Sequence, residues 1–256
     1  MIQLEVKNLT VRFGGVLAVN NLSMDVEKGS IHALIGPNGA GKTTVFNAIT
    51  RVVRPSGGQL IFEGESLESL KPYEVIEKGL SRTFQNLELF KFMTVGENFL
   101  VGHHREFKQG IWSQAFRSGK VVEEEKATWA RVYEIAEILN LKNRLFTLAG
   151  MLPYGLQKMV EIGRALMCDP KFLMLDEPAA GLNPVETSEI KELIRNFSRK
   201  MGITVFLVEH DMQLVMDISD KITVMNFGQK IAEGSRDEVK NDPKVIEAYL
   251  GESKYA

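Results

Sequence analysis

The sequence predicts an α/β fold, and three features carry the prediction. Apolar "IHALI", residues 31–35, runs into the glycine-rich "GPNGAGKTT" of Gly36 to Thr44, and a helix begins near Lys42, so strand, loop and helix follow one another directly. "KFLML" at 171–175 and "ITVFLV" at 203–208 are continuous apolar runs of strand length, the pattern of parallel strands covered on both faces. Between these two ends, over roughly residues 87–160, helical periodicity takes over. A chain of 256 residues holds one large domain or two small ones. One domain over residues 1–256, with a helical subdomain at roughly 87–160 inserted into the α/β core, is the economical organisation.

In chain order, "MIQLEVKNLTVRF" alternates polar and apolar residues, and Gly14-Gly15 supplies a turn, so residues 2–35 read as short strands with an antiparallel region at the N-terminus. "KPYEVIEKG" is a short helix with Pro72 near its start and Gly79 at its end. "TVGE", Thr94 to Glu97, has the spacing of a capping box and opens another. Residues 102–120 mix His103, His104, Arg105, Lys108, Arg117 and Lys120 with apolar residues and read as a mobile or partner-facing insert; the two histidines have no third metal ligand in view and are expected to be solvated. "EEEKATWARVYEIAEILNL" is a long amphipathic helix with Trp129, Val132, Tyr133, Ala136 and Leu139 on one side. "LPYGLQKMVEIGRAL" is a helix with Pro153 suited to its first position and a stripe of Leu156, Met159, Val160, Gly163 and Leu166. Asn183 caps a further helix that starts at Pro184 and ends at Gly202, and "SRDEVKNDPKVIEAYLG" closes the chain as helix, with Ser235 and Glu238 as another capping box.

With 44% hydrophobic and 25% charged residues, the composition is that of a soluble globular chain. The formal charge of −2 provides no basic surplus to hold a phosphate backbone, which weighs against nucleic acid as a partner. The single cysteine, Cys168, excludes an internal disulfide framework, fits a reducing compartment, and reads as a buried structural thiol among Ala165, Leu166 and Met167. The N-terminus lacks the regions of a signal peptide, and no apolar run is long enough to span a bilayer. A cytoplasmic protein is expected, with any membrane role supplied through a partner.

"GPNGAGKTT" fits the P-loop pattern and stands between a buried strand and a helix, the context that gives the motif its meaning. Glycines at 36, 39 and 41 let backbone N–H groups curl around phosphates; Pro37, Asn38, Ala40 and Thr44 complete the cradle. Lys42 brings a point charge to the β- and γ-phosphates, and Thr43 a hydroxyl to Mg²⁺. The strand "KFLMLDEP" then delivers Asp176 to the metal and Glu177 beside it, where a carboxylate polarises water for in-line attack on the γ-phosphate. Strand-end acids also cap helices; the P-loop in the same chain is what turns this pair into a site. The small residue at the mouth of the 152–166 helix would suit an anion, because free N–H groups and the helix dipole point outward there, although most helix starts of this kind carry no ligand.

With "GPNGAGKTT", "LPYGLQK" and "LMLDEPAAGLNP" in that order, the chain resembles the ATP-binding subunits of ABC transporters over essentially all its length. The resemblance implies a P-loop NTPase core with a mixed β-sheet, ATP and Mg²⁺ as cofactors, and a dimer with two ATP molecules at its seam. It places Leu152, Pro153, Tyr154, Gly155, Leu156 and Gln157 at the family's signature, so Pro153, Tyr154, Gly155 and Leu156 would contact, in trans, the nucleotide held by a second ATP-binding subunit. The family's serine is here Pro153, which has neither hydroxyl nor N–H to donate; a lost charge-assisted hydrogen bond costs about 1.5–3 kcal/mol. The resemblance further implies that Gln85 reaches the metal and the attacking water and links to the membrane subunit, that His210 is a switch on the γ-phosphate, and that Phe13 stacks on adenine. Taken alone, Gln85 is a loop residue, His210 fits strand-end packing, and Phe13 fits core packing. Asn183 stands where the family usually has aspartate, which keeps the cap and loses the charge.

The "YG" form of the signature, "LDEPAAGLNPVET", "VEHDMQLVMDISDKI" and "DPKVIEAYLGE" are similar to the larger ATP-binding subunit of branched-chain amino-acid uptake systems. That implies an ATPase, peripheral on the cytoplasmic face of the inner membrane, working with integral-membrane permease subunits and indirectly with a solute-binding protein, in a hetero- or homodimer. "NLELFKFMTVGEN" would face the coupling helices of the permease. Urea or amide importers and the lipopolysaccharide-export ATPase are the nearest alternatives. ABC ATPases of DNA repair or chromosome structure carry far longer coiled-coil insertions between the two nucleotide motifs, and no Asn-Lys-x-Asp guanine motif is present. Glu177 and His210 argue against a catalytically silent regulatory subunit.

Overall fold

Alternation of apolar residues builds the first sheet. In the computed structural model, which describes residues 1–83, 87–103 and 119–252, β1 (Ile2–Phe13) and β2 (Val16–Glu27) pair antiparallel, with Phe13 opposite Val16 across the Gly14-Gly15 turn. Both strands run 12 residues, longer than the short strands expected. The buried positions of β1 switch from Leu4 and Val6 to Leu9 and Val11. Asn8, at φ 50°, inserts a bulge that flips the pleat between them. That switch breaks the alternation that a continuous strand would show. β4 (Gly57–Phe62) and β5 (Glu65–Ser66) complete the sheet in the order β2-β1-β4-β5.

The second sheet has the order β10-β9-β3-β8-β7-β6. Its strands are β3 (Ile31–Ile35), β6 (Leu80–Arg82), β7 (Phe172–Asp176), β8 (Thr204–Val208), β9 (Lys221–Asn226) and β10 (Gln229–Gly234). All neighbours pair parallel except β9 and β10, which form a hairpin through Phe227 and Gly228, both at positive φ as such a two-residue turn requires. β3, β7 and β8 are buried at every residue, as the apolar runs at 171–175 and 203–208 predict for β7 and β8, and β3 buries His32 with its apolar neighbours. Both sheets and the helix α1 (Lys42–Ile49) share one apolar core in which Phe46 and Phe206 lie 5.0 Å apart. These elements form one compact unit, Met1–Arg82 with Lys171–Ala256.

The helices of this unit begin and end at their capping residues. α2 (Pro72–Glu77) stops at Gly79, whose φ is 94°. α6 (Pro184–Arg199) is capped by Asn183, which accepts from Val185 and Glu186 while Glu186 accepts from Asn183. α7 (Met212–Ile218) starts from Asp211. The terminal segment is two helices, α8 (Arg236–Lys240) and α9 (Pro243–Glu252), where one was expected. Pro243 opens a new first turn and cannot continue the old one.

The second unit spans Thr83–Pro170, wider at both ends than the helical segment read from the sequence. It holds α3 (Val95–Gly102), α4 (Gly119–Ile138) and α5 (Tyr154–Leu166). The Thr94–Glu97 capping box is formed as predicted. α3 meets α5 so closely that a methyl group at Gly163 would lie 2.2 Å from Phe99 Cε1. Trp129 of α4 packs on Gly96. Buried Asn98 ties down the preceding loop, accepting from Phe90 N–H at 3.0 Å and donating to Phe90 O at 3.1 Å. The buried face of α4 is Val132, Ile135 and Ala136, continued by Leu139 just past its end; Tyr133, expected on it, is 41% exposed. Pro153 precedes α5 as its N-cap, in extended conformation, and Tyr154 takes the first helical position. His103, expected to be solvated, is half-buried with Nδ1 3.4 Å from Met167 O, and His104 and the rest of the insert to residue 118 lie outside the described residues. Cys168 is half-buried, not fully buried, and its thiol donates to Gly102 O at 3.2 Å.

Fully buried His32 of β3 has Nε2 2.8 Å from Thr223 Oγ1 and meets the edge of Phe206. Burial, with Lys221 and Lys230 reinforcing it against Glu233, holds its pKa down from 6.5 to about 3. The unfolded chain takes up this proton below 6.5 and the folded chain does not until about 3. Stability from this group is therefore complete above the unfolded value and is lost as pH falls, with a limiting slope of ~1.4 kcal/mol per pH unit. Urea melts between pH 7 and pH 4 should show that slope in the wild type and lack that component in His32→Gln; equal slopes would assign the titration elsewhere.

Candidate nucleotide site

Parallel strands place their carboxyl ends together, and in an α/β sheet that edge is where ligands bind. β3, β8 and β7 are adjacent and parallel, and from that edge emerge Gly36, Glu209 with His210, and Asp176 with Glu177. The turn from Gly36 to Gly41 is one that only glycine permits at three positions, with φ of 151°, 77° and 100° at Gly36, Gly39 and Gly41. A methyl group at Gly36 would lie 2.1 Å from Met225 O, and one at Gly41 2.5 Å from Ala18 O. Backbone on both sides therefore fixes the loop. Gly228 N–H donates to Ala40 O at 3.0 Å and Asn20 N–H to Gly228 O at 2.8 Å, which holds the β9–β10 hairpin and β2 against it. Pro37 and Ala40 are buried, and Asn38 and Gly39 form the exposed crest.

α1 begins at the end of this loop with no side chain capping it, so its first N–H groups and dipole face the loop's concavity. Lys42 is 7% exposed and folds back, Nζ donating to Gly36 O at 2.6 Å and Pro37 O at 3.0 Å. An ammonium on two carbonyls at the head of the loop stands within reach of any phosphate seated there. Thr43 is exposed and Thr44 half-buried at the same helix start.

Asp176 ends β7 with a fully buried side chain, and Arg82 at the end of β6 pairs with it, Nη2 to Oδ2 at 3.1 Å. Arg82 also donates to Asn47 and Thr50 of the P-loop helix and its following residue, and lies over the Phe46 ring. Burial pushes its guanidinium below the ordinary value, and Asp176 pulls it back. Nothing in the local sequence "KGLSRTFQ" singles out Arg82, which gains its role only where β6 pairs with β7. Glu177 has φ 48°, a left-handed backbone that costs a side-chain-bearing residue about 1–2 kcal/mol. Its N–H donates to Val208 O at 2.9 Å, and its carboxylate is 21% exposed. His210, 59% exposed, places Nδ1 3.9 Å from Glu177 Oε2. The structure thus brings Lys42, Asp176, Glu177 and His210 to one sheet edge.

Phe13, at the end of β1, is 49% exposed, so it is not a core residue. Gln85 lies outside the described residues. In the second unit, Pro153 caps α5 without a side-chain hydrogen bond, Tyr154 is 46% exposed, Gly155 is buried and Leu156 half-buried; Gln157 Nε2 donates to Leu152 O at 2.8 Å. The donors offered to a metal, the Thr43 hydroxyl and Asp176 carboxylate, are hard oxygens that suit Mg²⁺. No group of three His, Cys, Asp or Glu among the described residues could hold an ion by itself.

A strand–glycine loop–helix with an invading lysine and a strand-end acid pair defines a nucleoside triphosphate-binding α/β protein. A family model described as ABC transporter matches residues 19–180, and one described as Branched-chain amino acid ATP-binding cassette transporter matches 229–255. The chain is 45% identical over 250 residues to the high-affinity branched-chain amino acid transport ATP-binding protein BraF of Pseudomonas aeruginosa, covering 98% of each. It is 44% identical over 250 residues to LivG of Escherichia coli K12, a protein of the same description, again with 98% of each covered. Among solved structures, a nucleotide-free ATP-binding cassette from an ABC transporter is similar with a TM-score of 0.85 at 36% identity, over 97% of this chain and 99% of that one. An ATP-binding cassette in its ADP conformation is similar with a TM-score of 0.86 at 36% identity, over 98% and 99%. The chain belongs to the ABC transporter family, as its ATP-hydrolysing subunit.

Gly41→Ala must force a Cβ onto Ala18 O and a left-handed backbone onto alanine. It should lower the melting temperature and weaken Mg·ATP binding at least tenfold, about 1.4 kcal/mol; calorimetry with and without nucleotide measures both. Unchanged affinity would mean that the loop's shape is not what binds.

Proposed function

We propose that the chain powers the import of branched-chain amino acids by hydrolysing ATP in a pair of ATPase subunits attached to membrane permeases. The carrying observation is the convergence of the P-loop, Asp176, Glu177 and His210 on one sheet edge in a chain 45% identical, over 98% of its length, to a branched-chain amino acid transport ATP-binding protein. We read residues 1–256 as a single ATP-binding domain whose helical segment carries the signature.

Binding would begin with the loop N–H groups from Gly36 to Thr44 and with Lys42, which exchanges the carbonyls of Gly36 and Pro37 for phosphate oxygens. Phe13, half-exposed, offers a ring to the adenine. Thr43, Asp176 and Gln85 would hold Mg²⁺, which when bound neutralises charge on the phosphates. Glu177 accepts the proton of the attacking water, and His210, beside it on the same sheet edge, donates to the γ-phosphate. Pro153, Tyr154, Gly155 and Leu156 of this chain face the nucleotide held by the partner ATPase, where backbone donors and the α5 dipole stand in for the missing serine. A pair of two different ATPases is the arrangement we favour.

No helix among the described residues is long and apolar enough to cross a membrane. Attachment to the cytoplasmic face of the inner membrane would come through the permeases, reached by Gln85 and the segment 86–98. A solute-binding protein would act on the far side, and nucleic acid is not a partner.

Two measurements test this reading. Glu177→Gln should keep Mg·ATP binding and lower turnover by at least a hundredfold, with the nucleotide-bound dimer accumulating; appreciable turnover would remove Glu177 as the base. In that background Pro153→Ser restores the absent hydroxyl and should tighten the ATP-bound dimer about tenfold, the lower end of one charge-assisted hydrogen bond. Sedimentation equilibrium reads the difference, and an unchanged dimer would place this residue outside the contact.

A further inference from the structure

Glu209, the residue after β8, is fully buried and has no part in the roles assigned above. A buried carboxylate is tolerated only with partners, and those of Glu209 are three backbone N–H groups. Ala179 donates to Oε1 at 2.8 Å, His210 to Oε2 at 3.0 Å and Asp211 to Oε2 at 3.3 Å. The two oxygens therefore grip different segments. Oε1 holds the loop that follows β7, two residues beyond Glu177; Oε2 holds the start of the segment that carries His210. Burial pushes the carboxyl above the ordinary carboxylate range, against the three N–H donors that favour its charge.

Glu177 needs such support because its left-handed backbone persists only where the surroundings over-determine it. Val208 O accepts its N–H at 2.9 Å, and its own carbonyl accepts from Ala180 at 3.2 Å. The side chain of Glu209 adds the tie at Ala179, between those two. His210 Nδ1 is 3.9 Å from both Glu177 Oε2 and Glu209 Oε2.

We propose that Glu209 is a positioning residue for ATP hydrolysis: it fastens the segment bearing Glu177 to the segment bearing His210, so that both meet the γ-phosphate and its water as one rigid pair. This rests on the roles proposed for Glu177 and His210. Glutamine at 209 offers one oxygen where two segments need one each. Aspartate keeps both oxygens and its short reach to His210 and Asp211, and falls a methylene short of Ala179. Both variants cut the same tie by different means, and the second preserves the charge.

The experiment measures kcat, KM for Mg·ATP and Tm of the full-length chain carrying Glu209→Gln, Glu209→Asp or Glu177→Gln. Glu209→Gln and Glu209→Asp should each lower kcat about tenfold or more, with KM within about twofold and Tm little changed. Should Glu209→Gln fail to fold, Glu209→Asp decides alone. Adding Glu209→Asp to Glu177→Gln should leave the residual rate where Glu177→Gln put it, because groups acting as a unit are not additive. Wild-type kcat in Glu209→Asp, or a kcat loss matched by lost affinity or lost folded protein, overturns the proposal when Glu177→Gln is inactive. A Glu177→Gln that turns over normally overturns instead the reading on which the proposal rests.

Discussion

The shape of the loop from Gly36 to Gly41 is imposed from outside it. The carbonyl of Ala18 in β2 closes on Gly41, the carbonyl of Met225 in β9 closes on Gly36, and the hairpin at Gly228 takes hold of Ala40. Each contact is backbone to backbone and so independent of which side chains decorate the strands. The antiparallel sheet and the β9–β10 hairpin act together as the mould of the loop. A phosphate-binding turn needs its N–H groups aimed before the ligand arrives, and two pieces of chain far apart in sequence, at Ala18 and at Met225 to Gly228, do the aiming.

Charge buried at the same sheet edge shows a second consistent choice. Arg82 lies among Asn47, Thr50 and Asp176, and Glu209 among the amides of Ala179, His210 and Asp211. Neither stabilises cheaply, since charge leaves water only at a cost that partners must offset. Both connect strand ends that would otherwise be free to shift against each other: Arg82 joins β6 to β7 and to the P-loop helix, and Glu209 joins β8 to the loop beyond β7. The residues expected to handle ATP are thereby held by side chains that need never touch it.

Much of this was legible in the sequence wherever a local rule acts alone. The buried strands 172–176 and 204–208 announce themselves by their apolar runs, the helix after Thr94 by its capping box, and the helix after Asn183 by that cap and Pro184. What escaped depends on partners distant in the chain or on a change of pattern. The bulge at Asn8 reverses the pleat of β1 and hides its true length. Pro243 divides what helical periodicity joins. Tyr133 lies at the margin of its helix, where the stripe Val132, Ile135, Ala136 and Leu139 leaves it outside. Arg82 and Glu209 have meaning only once β6, β7 and β8 lie side by side, and no short window of sequence holds those three together.

The packing of Trp129 on Gly96 bears on spectroscopy of the chain. Its two tryptophans, Trp112 and Trp129, both fall within the span 83–170, and the unit built on the P-loop has none. Indole emission therefore reports on the helical unit alone, and melting of the two sheets passes without a tryptophan signal of its own. A transition followed by fluorescence observes that unit, whereas one followed by far-ultraviolet dichroism observes the secondary structure of both, and agreement between them would mean that the two units give way together.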